Sequence, residues 1–332
     1  MNKQSVWEQL TKLPFLNTYK NLITSAIRMD VFSQLTEPVT AKAVAEQMGW
    51  HEGNTGYLLE SLVSVGFVEK EGDAFRNKAE TNRYLVRESD EYLGGFLLFY
   101  MMEEAPMDLE KLVKEGPQPA QRPDMEQQVD FSQYGAMLRQ AQRGYREQEI
   151  LRIVRSLPEN DSIKTVLDLG CATGLLGLAV VNDLPERHGV LFDMLPPQLL
   201  QESAELAGLG DRVTVLNGNF LTDEIGSGYD LIMAVSVMLF AKGQMEALLK
   251  KCYDALNPGG VLLVISEGVE RDHTGPWDMV MGYLPYYMQG MDMAVLKNEI
   301  SDAATKVGFA SAEKKTELLC SGVQDIDIFR KG

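Results

Sequence analysis

The sequence predicts an α/β fold: a mostly parallel sheet with helices on both faces, preceded by a smaller helical domain that closes in a hairpin. Three observations carry this. From Ile163 onward, short apolar β-type runs alternate with helical runs, the pattern of strand–helix–strand crossovers. The first run ends in a glycine-studded turn, Asp168-Leu169-Gly170-Cys171-Ala172-Thr173-Gly174, and a helical run opens at Leu175. Residues from about 8 to 90 lack that alternation and read as three helices and a hairpin.

In the first domain, residues 26–35 place apolar side chains at helical spacing. Thr40 is an N-cap for 41–48, and Asn54 for 57–65. Gly66 suits the position just past a helix end, and residues 67–76 form a hairpin turning at Gly72. This is a winged-helix pattern, whose commonest use is DNA binding. Residues 1–90 hold 10 Lys and Arg against 12 Asp and Glu, and 54–65 contain neither Lys nor Arg. A DNA reader needs clustered positive charge, so nucleic acid is not the expected partner.

Residues 91–150 connect the halves. The run 92–102 is apolar all round, a buried or interfacial helix. Residues 116–123 are Pro-rich and read as an exposed loop. A helix from about 132 to 156 follows, with Tyr134, Leu138, Ala141 and Tyr145 at helical spacing and Arg139, Arg143 and Arg146 on its other sides. Strands are expected at 165–169, 189–193, 213–216, 231–235 and 261–266. Helices are expected from 175, at 197–207 and at 244–256. Residues 312–319 and 325–329 read as an antiparallel pair. The expected domains are 1–100, connecting helices over 101–156, and 157–332.

The bulk numbers narrow the function class. At 332 residues, 45% hydrophobic and 24% charged, the chain is a soluble globular protein long enough for two domains. A formal charge of −17 argues against phosphate-rich partners and is compatible with a cationic ligand. Cys171, Cys252 and Cys320 lie far apart without metal-type spacing, as reduced thiols do in a cytoplasmic protein, and no metal ligand set is expected. The N-terminus lacks a secretory apolar region and no apolar run reaches spanning length, so no membrane is expected and the cytoplasm is the expected compartment.

The glycine turn is not the dinucleotide fingerprint, because counting from Gly170 its other glycines fall on Ala172 and Leu175. Asp168, Gly170 and Gly174 instead give Asp-x-Gly-x-x-x-Gly. Asp193 closes the second strand 25 positions after Asp168, where a carboxylate can accept both hydroxyls of a ribose. Gly218-Asn219-Phe220 follows the third strand.

These residues resemble the class I S-adenosylmethionine (SAM) methyltransferases, and within them the plant-type and bacterial small-molecule O-methyltransferases. The glycine turn resembles their motif I, with Ala172 where the family usually has glycine. The resemblance covers nearly the whole chain. It implies a Rossmann-like class I methyltransferase domain behind an N-terminal α-helical winged-helix domain, SAM as cofactor, a small-molecule acceptor, and a homodimer formed through the winged helix. Asp193 would hold the ribose. Asn219, standing for the family's aspartate, would bond the adenine. Gly170, Cys171 and Gly174 would face the methionine end. Asp168, Met194, Gly218, Phe220, Val235 and Ser236 complete the expected donor site. The helix over 132–156 would run beside it, where Arg143 can pair with an acceptor carboxylate and Tyr145 lies near.

One family feature is missing. The relatives place a His-Asp pair after the fourth strand, and its histidine takes the proton of an acceptor hydroxyl. Here the position falls on Met238 or Leu239, and only His51, His188 and His273 exist in the chain. Three explanations stand. The acceptor is a thioether, such as methylthio-2-hydroxybutyrate, whose sulfur has no proton to lose, so positioning suffices. Or a base comes from elsewhere: His273, or a tyrosine among the Met- and Tyr-rich residues 277–293, which also line the expected acceptor pocket through Trp277, Tyr283 and Tyr287. Or the protein binds SAM without transferring methyl groups, as some relatives do in decarboxylation or hydroxylation, or as a SAM-sensing regulator.

Overall fold

The computed structural model describes residues 5–102, 108–117 and 131–332. The chain divides into two units, Met1–Glu104 with Arg143–Tyr145, and Ala105–Gln142 with Arg146–Gly332.

The first unit opens with α1 (Val6–Lys12) and α2 (Leu16–Arg28). Ser5 and Glu8 cap α1 reciprocally, yet α1 buries none of its residues. The helical spacing of 26–35 does not carry through. Asp30 takes φ +56°, and a single 3₁₀ turn follows at Phe32–Gln34. Thr40 caps α3 (Ala41–Met48) by accepting the Ala43 N–H at 3.2 Å. The cap of α4 (Glu52–Ser64) is His51 and not Asn54, because the helix begins earlier and the His51 ring Nδ1 accepts the Asn54 N–H at 3.2 Å. Gly66 ends that helix at φ +88°.

Strands β2 (Val68–Glu71) and β3 (Ala74–Asn77) turn at Gly72, and β1 (Val39–Thr40) joins β3 to complete a three-stranded wing. Ile27, Phe32, Leu35, Leu59, Leu62 and Phe75 form the core beneath it. Helices α5 (Ala79–Leu85) and α6 (Gly94–Met102) finish the run. The all-apolar α6 buries Phe96 and leaves Tyr100 half exposed.

The helix expected over 132–156 is two helices, α8 (Phe131–Gln142) and α9 (Tyr145–Arg155), following α7 (Leu109–Glu115). Gly144 breaks it with φ +76°, and a Cβ there would stand 2.5 Å from the Tyr92 carbonyl oxygen. Of the expected 116–123 loop, residues 118–123 lie outside the described residues, as does the side chain of Tyr134.

The second unit carries a seven-stranded sheet in the order β6-β5-β4-β7-β8-β10-β9. Its parallel strands are β4 (Thr165–Leu169), β5 (His188–Asp193), β6 (Val213–Asn217), β7 (Tyr229–Val235) and β8 (Leu256–Ser266). Strands β9 (Ser311–Leu319) and β10 (Gly322–Arg330) are the antiparallel hairpin, with β10 paired to β8. Helices α10 (Leu175–Asp183), α11 (Pro197–Leu206), α12 (Met245–Ala255), α13 (Trp277–Met288) and α14 (Glu299–Val307) connect and cover the sheet.

The inner strands read as continuous apolar runs because both faces are buried. Val166, Leu231, Met233, Val261 and Leu263 pack into one core, and their sequence neighbours Leu167, Ile232, Ala234, Leu262 and Val264 into the other. That is the period-two alternation of a strand.

A fully buried arginine, Arg187, ties the start of β5 to its surroundings. Its guanidinium donates to the carbonyls of Val180 at 3.0 Å, Ile163 at 3.3 Å and Asn160 at 2.7 Å. Buried carbonyls that lose their donor keep their desolvation cost. Replacing Arg187 with Leu is therefore expected to lower unfolding stability by about 3 kcal/mol in urea denaturation.

Candidate functional site

In the second unit, chain order reverses direction at β4: β5 and β6 lie on one side of it, β7 and β8 on the other. The crevice at the carboxyl end of such a switch point is where open α/β sheets receive ligands. The sequence puts its glycine turn there.

Gly170 takes φ +69° and Gly174 φ +79°. Side chains are excluded at both. A Cβ on Gly170 would stand 2.5 Å from the Val237 side chain and 3.3 Å from the Phe220 ring, and one on Gly174 2.6 Å from Leu191. Ala172 between them also takes a positive φ, +53°. The Gly170 and Cys171 amides donate to the Phe192 carbonyl at 2.8 and 3.2 Å, so the turn is stitched to the end of β5.

Asp193 is the next stitch. One carboxylate oxygen accepts the Ala172 N–H at 2.7 Å and the other the Leu195 N–H at 2.9 Å. A carboxylate has about four acceptor sites, so capacity remains for a hydroxyl donor. Burial raises the Asp193 pKa, opposed by the amide bonds of Leu195, Ala172 and Met194. Met194 beside it points to solvent, 67% exposed.

Asp168 lies behind the turn, buried, and accepts the Gly177 N–H at 2.8 Å. Gly177 must be glycine for α10 to come this close, since a Cβ would stand 2.7 Å from Cβ of Asp168. At the tip of β6 the Gly218 amide donates to the Asp193 carbonyl. The Asn219 side-chain oxygen accepts the Leu221 N–H at 2.9 Å, while its own amide donates to Asp223 at 2.8 Å. Phe220 is buried. At the end of β7, Val235 is half-buried and Ser236 takes φ +56° while donating its amide to Ile265.

The residues expected on the acceptor side are more scattered. Arg143 and Tyr145 belong to the first unit, where the Tyr145 ring meets Tyr84 edge-on at 5.6 Å. Arg139 is engaged by α11, donating to Ser203 and the Leu199 carbonyl and pairing with Glu202 at 2.7 Å. Met238 is 1% exposed and packs in the apolar core. Trp277 is largely exposed. His273 is exposed with φ +57° and meets the Tyr287 ring edge-on at 5.0 Å. Asp272 bonds Thr274 through one oxygen. Tyr283 and Tyr287 share α13, ring centroids 6.1 Å apart.

Three participants escaped the sequence reading. Gln142, the last residue of α8, donates to the Cys171 carbonyl at 3.1 Å and accepts the Thr173 hydroxyl at 2.6 Å, both bonds buried. It clamps the glycine turn from outside the motif. Thr173 itself is completely buried. Glu267, the first residue after β8, is 6% exposed. Burial raises its pKa, and a hydrogen bond from Tyr283 opposes the rise. The signal for Glu267 was present: an acid at the carboxyl end of an apolar parallel strand, as Asp193 is at the end of β5.

Comparison with known proteins decides the family. A model described as an O-methyltransferase domain matches residues 131–310, more than half of the chain. The chain belongs to the O-methyltransferase domain family. It is a SAM-dependent methyltransferase, and SAM is its cofactor. A second model, described as an IclR helix-turn-helix domain, matches residues 29–72, the stretch from the end of α2 through β2.

Among the relatives of this methyltransferase is the tetracenomycin polyketide synthesis 8-O-methyl transferase TcmO of Streptomyces glaucescens, 26% identical over 284 residues and 79% of each chain. Another is the N,N-dimethyltransferase OxyT of Streptomyces rimosus, 27% identical over 265 residues and 72% of each chain. Human N-acetylserotonin methyltransferase in complex with SAM has the same fold, with a TM-score of 0.72 at 20% identity, covering 100% of this chain and 99% of that one.

The buried Asp168 carboxyl gives the site a pH signature. Burial raises its pKa from 3.8 to about 7, the Gly177 amide opposing and the Asp193 charge adding to the rise. Below pH about 4 both folded and unfolded chains hold this proton. From there to about 7 only the unfolded chain releases it, so stability from this group falls as pH rises and levels off above about 7. Asp168→Asn is expected to flatten the stability slope over that window, measured by urea unfolding of both proteins at several pH values.

Proposed function

We propose that this methyltransferase carries the methyl group of SAM to a hydroxyl of a small organic acceptor. The observation that supports the donor half is the Asp193 carboxylate. It stands at the tip of β5 beside a turn that excludes side chains, with acceptor capacity left over. The Gly170 and Gly174 positions fit a close-lying ligand because a Cβ at either would collide.

Asp193 holds the two ribose hydroxyls. The Asn219 carbonyl is already engaged by Leu221, so its NH₂ donates to an adenine ring nitrogen and its remaining lone pair meets the exocyclic amine. Met194 and Phe220 cover the base. Gly170, Cys171 and Gly174 face the methionine portion, steadied by Gln142, while Gly218, Val235 and Ser236 line the floor. Asp168 shapes the turn from behind. SAM supplies an electrophilic methyl on a cationic sulfur, and the acidic end of this sheet favours that cation over a neutral ligand. The protein's remaining task is alignment and exclusion of water. On the acceptor side we place Tyr283 and Tyr287, with Trp277 at its margin.

One observation favours a second reading. The end of β7 presents Val237, Met238 and Leu239, all apolar, where relatives carry their histidine. A thioether sulfur, as in methylthio-2-hydroxybutyrate, needs no base and would suit that end. It would leave a sulfonium product, distinguishable from a methyl ether by mass and charge. His273 is the remaining imidazole near this end of the sheet, exposed and beside Tyr287.

Asp193→Ala is expected to weaken SAM binding at least about 100-fold in calorimetry, since charge-assisted bonds to two hydroxyls are lost. A variant that binds like the parent would remove the donor assignment.

The first unit we read as a dimerisation platform. Its α4 carries no Lys or Arg to face DNA. Its N-terminal helices instead expose Val6, Trp7, Leu10, Leu13, Phe15 and Leu16, with Trp7 74% exposed. Contiguous apolar surface of this kind marks an interface, and a second copy of the chain is the partner we assign. The wild type should scatter light as twice its 37.0 kDa, and Trp7→Glu with Leu10→Glu should yield monomer. No helix among the described residues is long and apolar enough to cross a membrane. With three free thiols, we assign the protein to the cytoplasm.

A further inference from the structure

The reaction proposed above needs somewhere for the hydroxyl proton to go, and the end of β7 offers nothing. The next strand does. Ile265 in β8 pairs with Val235, and the Ser236 amide donates to its carbonyl. Glu267 therefore emerges at the same level of the sheet, one strand from Ser236 and two from Gly170. At about 4.8 Å per strand, that is about 10 Å from the glycine turn, a separation that a methyl donor and its acceptor can span.

The surroundings of Glu267 are dry and incompletely satisfied. Its Oε2 is buried without a hydrogen-bond partner among the described residues, and so is the Tyr287 hydroxyl on α13. Two orphaned polar atoms in an apolar setting of Val269, Met279, Val280 and Leu296 are costly unless something binds them. The titratable groups nearby are Tyr283, bonded to the carboxyl, then Tyr287, with Asp292 close enough to act on it. His273 lies on the Tyr287 ring, and Asp325 with Lys314 lies across Gly268. Burial pushes Tyr287 up to about 12, with the Asp292 and Glu267 charges adding to it. The phenol thus stays protonated and acts as a donor. Burial also raises the Glu267 pKa, with its own backbone amide and the Tyr283 hydroxyl opposing the rise, and a raised pKa is the direction that suits a general base.

We propose that the Glu267 carboxylate is the proton acceptor of this methyltransferase, in the role that the missing histidine leaves open. This rests on the reading of a hydroxyl acceptor. The acceptor hydroxyl sits between Glu267 and the donor methyl, with the Tyr287 hydroxyl bonding the same oxygen. As the oxygen's lone pair forms the new C–O bond, the C–S bond breaks and its electron pair remains on sulfur. The hydroxyl proton passes to Oε2 of Glu267 and leaves to water after product release. A carboxylate reaches only hydroxyls of moderate acidity, so the acceptor class is a phenol, near pKa 10, rather than an aliphatic alcohol. The apolar lining and the rings of Tyr283 and Tyr287 suit an aromatic acceptor.

The test uses the full chain, SAM with a labelled methyl, and phenol, catechol and 2-naphthol as probes. Glu267→Gln is expected to bind SAM as the wild type does, transfer methyl at least about 100-fold more slowly, and lose the rise of kcat with pH. Tyr283→Phe removes one of the bonds that hold the Glu267 pKa down, so the pH midpoint of transfer should move upward. Infrared difference titration of the protein without SAM, wild type minus Glu267→Gln, should show this carboxyl losing its proton above the ordinary range. Three results overturn the proposal: Glu267→Gln transferring within threefold of wild type, the pH dependence vanishing in His273→Ala and not in Glu267→Gln, or a wild type that binds SAM and methylates none of the three phenols. Failure of the wild type to bind SAM would instead bring down the function on which the proposal rests.

Discussion

The carboxylate of Asp193 is the constraint around which the second unit is arranged. It closes β5, reaches back to the Ala172 amide, and so fixes a turn that runs through three residues with positive φ. The anchor adds a side-chain bond, at the one non-glycine residue of the three, to the two backbone bonds that the turn makes with Phe192. Gln142 then clamps the same turn from the other side through Thr173 and the Cys171 carbonyl. The turn is a rigid wall before any ligand arrives, and preorganisation of this sort reduces the entropy lost on binding.

The same end of the sheet gathers negative charge. Asp168, Asp193 and Glu267 lie at or next to the carboxyl ends of parallel strands, and burial raises the pKa of all three. Helix N-termini and backbone amides offset part of that cost, as the Gly177 bond to Asp168 shows. What the arrangement gains is an environment in which a cation is favoured while the surrounding apolar side chains keep water out. Methyl transfer from a sulfonium discharges that cation, so a site that needs little solvent reorganisation is well matched to the chemistry.

Much of the fold was legible in the residues. The alternation after Ile163, the glycine turn and the acid after β5 each follow from local rules that burial on both sheet faces reinforces. The winged helix was equally readable, because Thr40, Gly66 and Gly72 act on their own immediate neighbours. What failed were boundaries set by distant partners. Gly144 breaks a helix that its neighbours would continue, because the Tyr92 carbonyl leaves no room for a side chain. His51 took the cap expected of Asn54 because an imidazole nitrogen can accept an amide bond as a carboxamide oxygen does. Site residues followed the same division. Asp168, Gly170 and Gly174 were visible through spacing. Gln142 was hidden because its role depends on two bonds across 29 and 31 positions, and Glu267 because its burial and its tyrosine neighbours come from residues sixteen to twenty positions further on.

The C-terminal hairpin has a consequence beyond completing the sheet. Strand β8 would be an edge without it, open along one flank from Val261 to Ser266, and β10 covers that flank residue by residue. The dryness of the position just beyond Ser266 therefore depends on residues some sixty places later in the chain. Trimming or loosening that ribbon would admit solvent beside Glu267 and lessen the burial that raises its pKa, so a strand far along the chain helps set the acidity of this carboxyl.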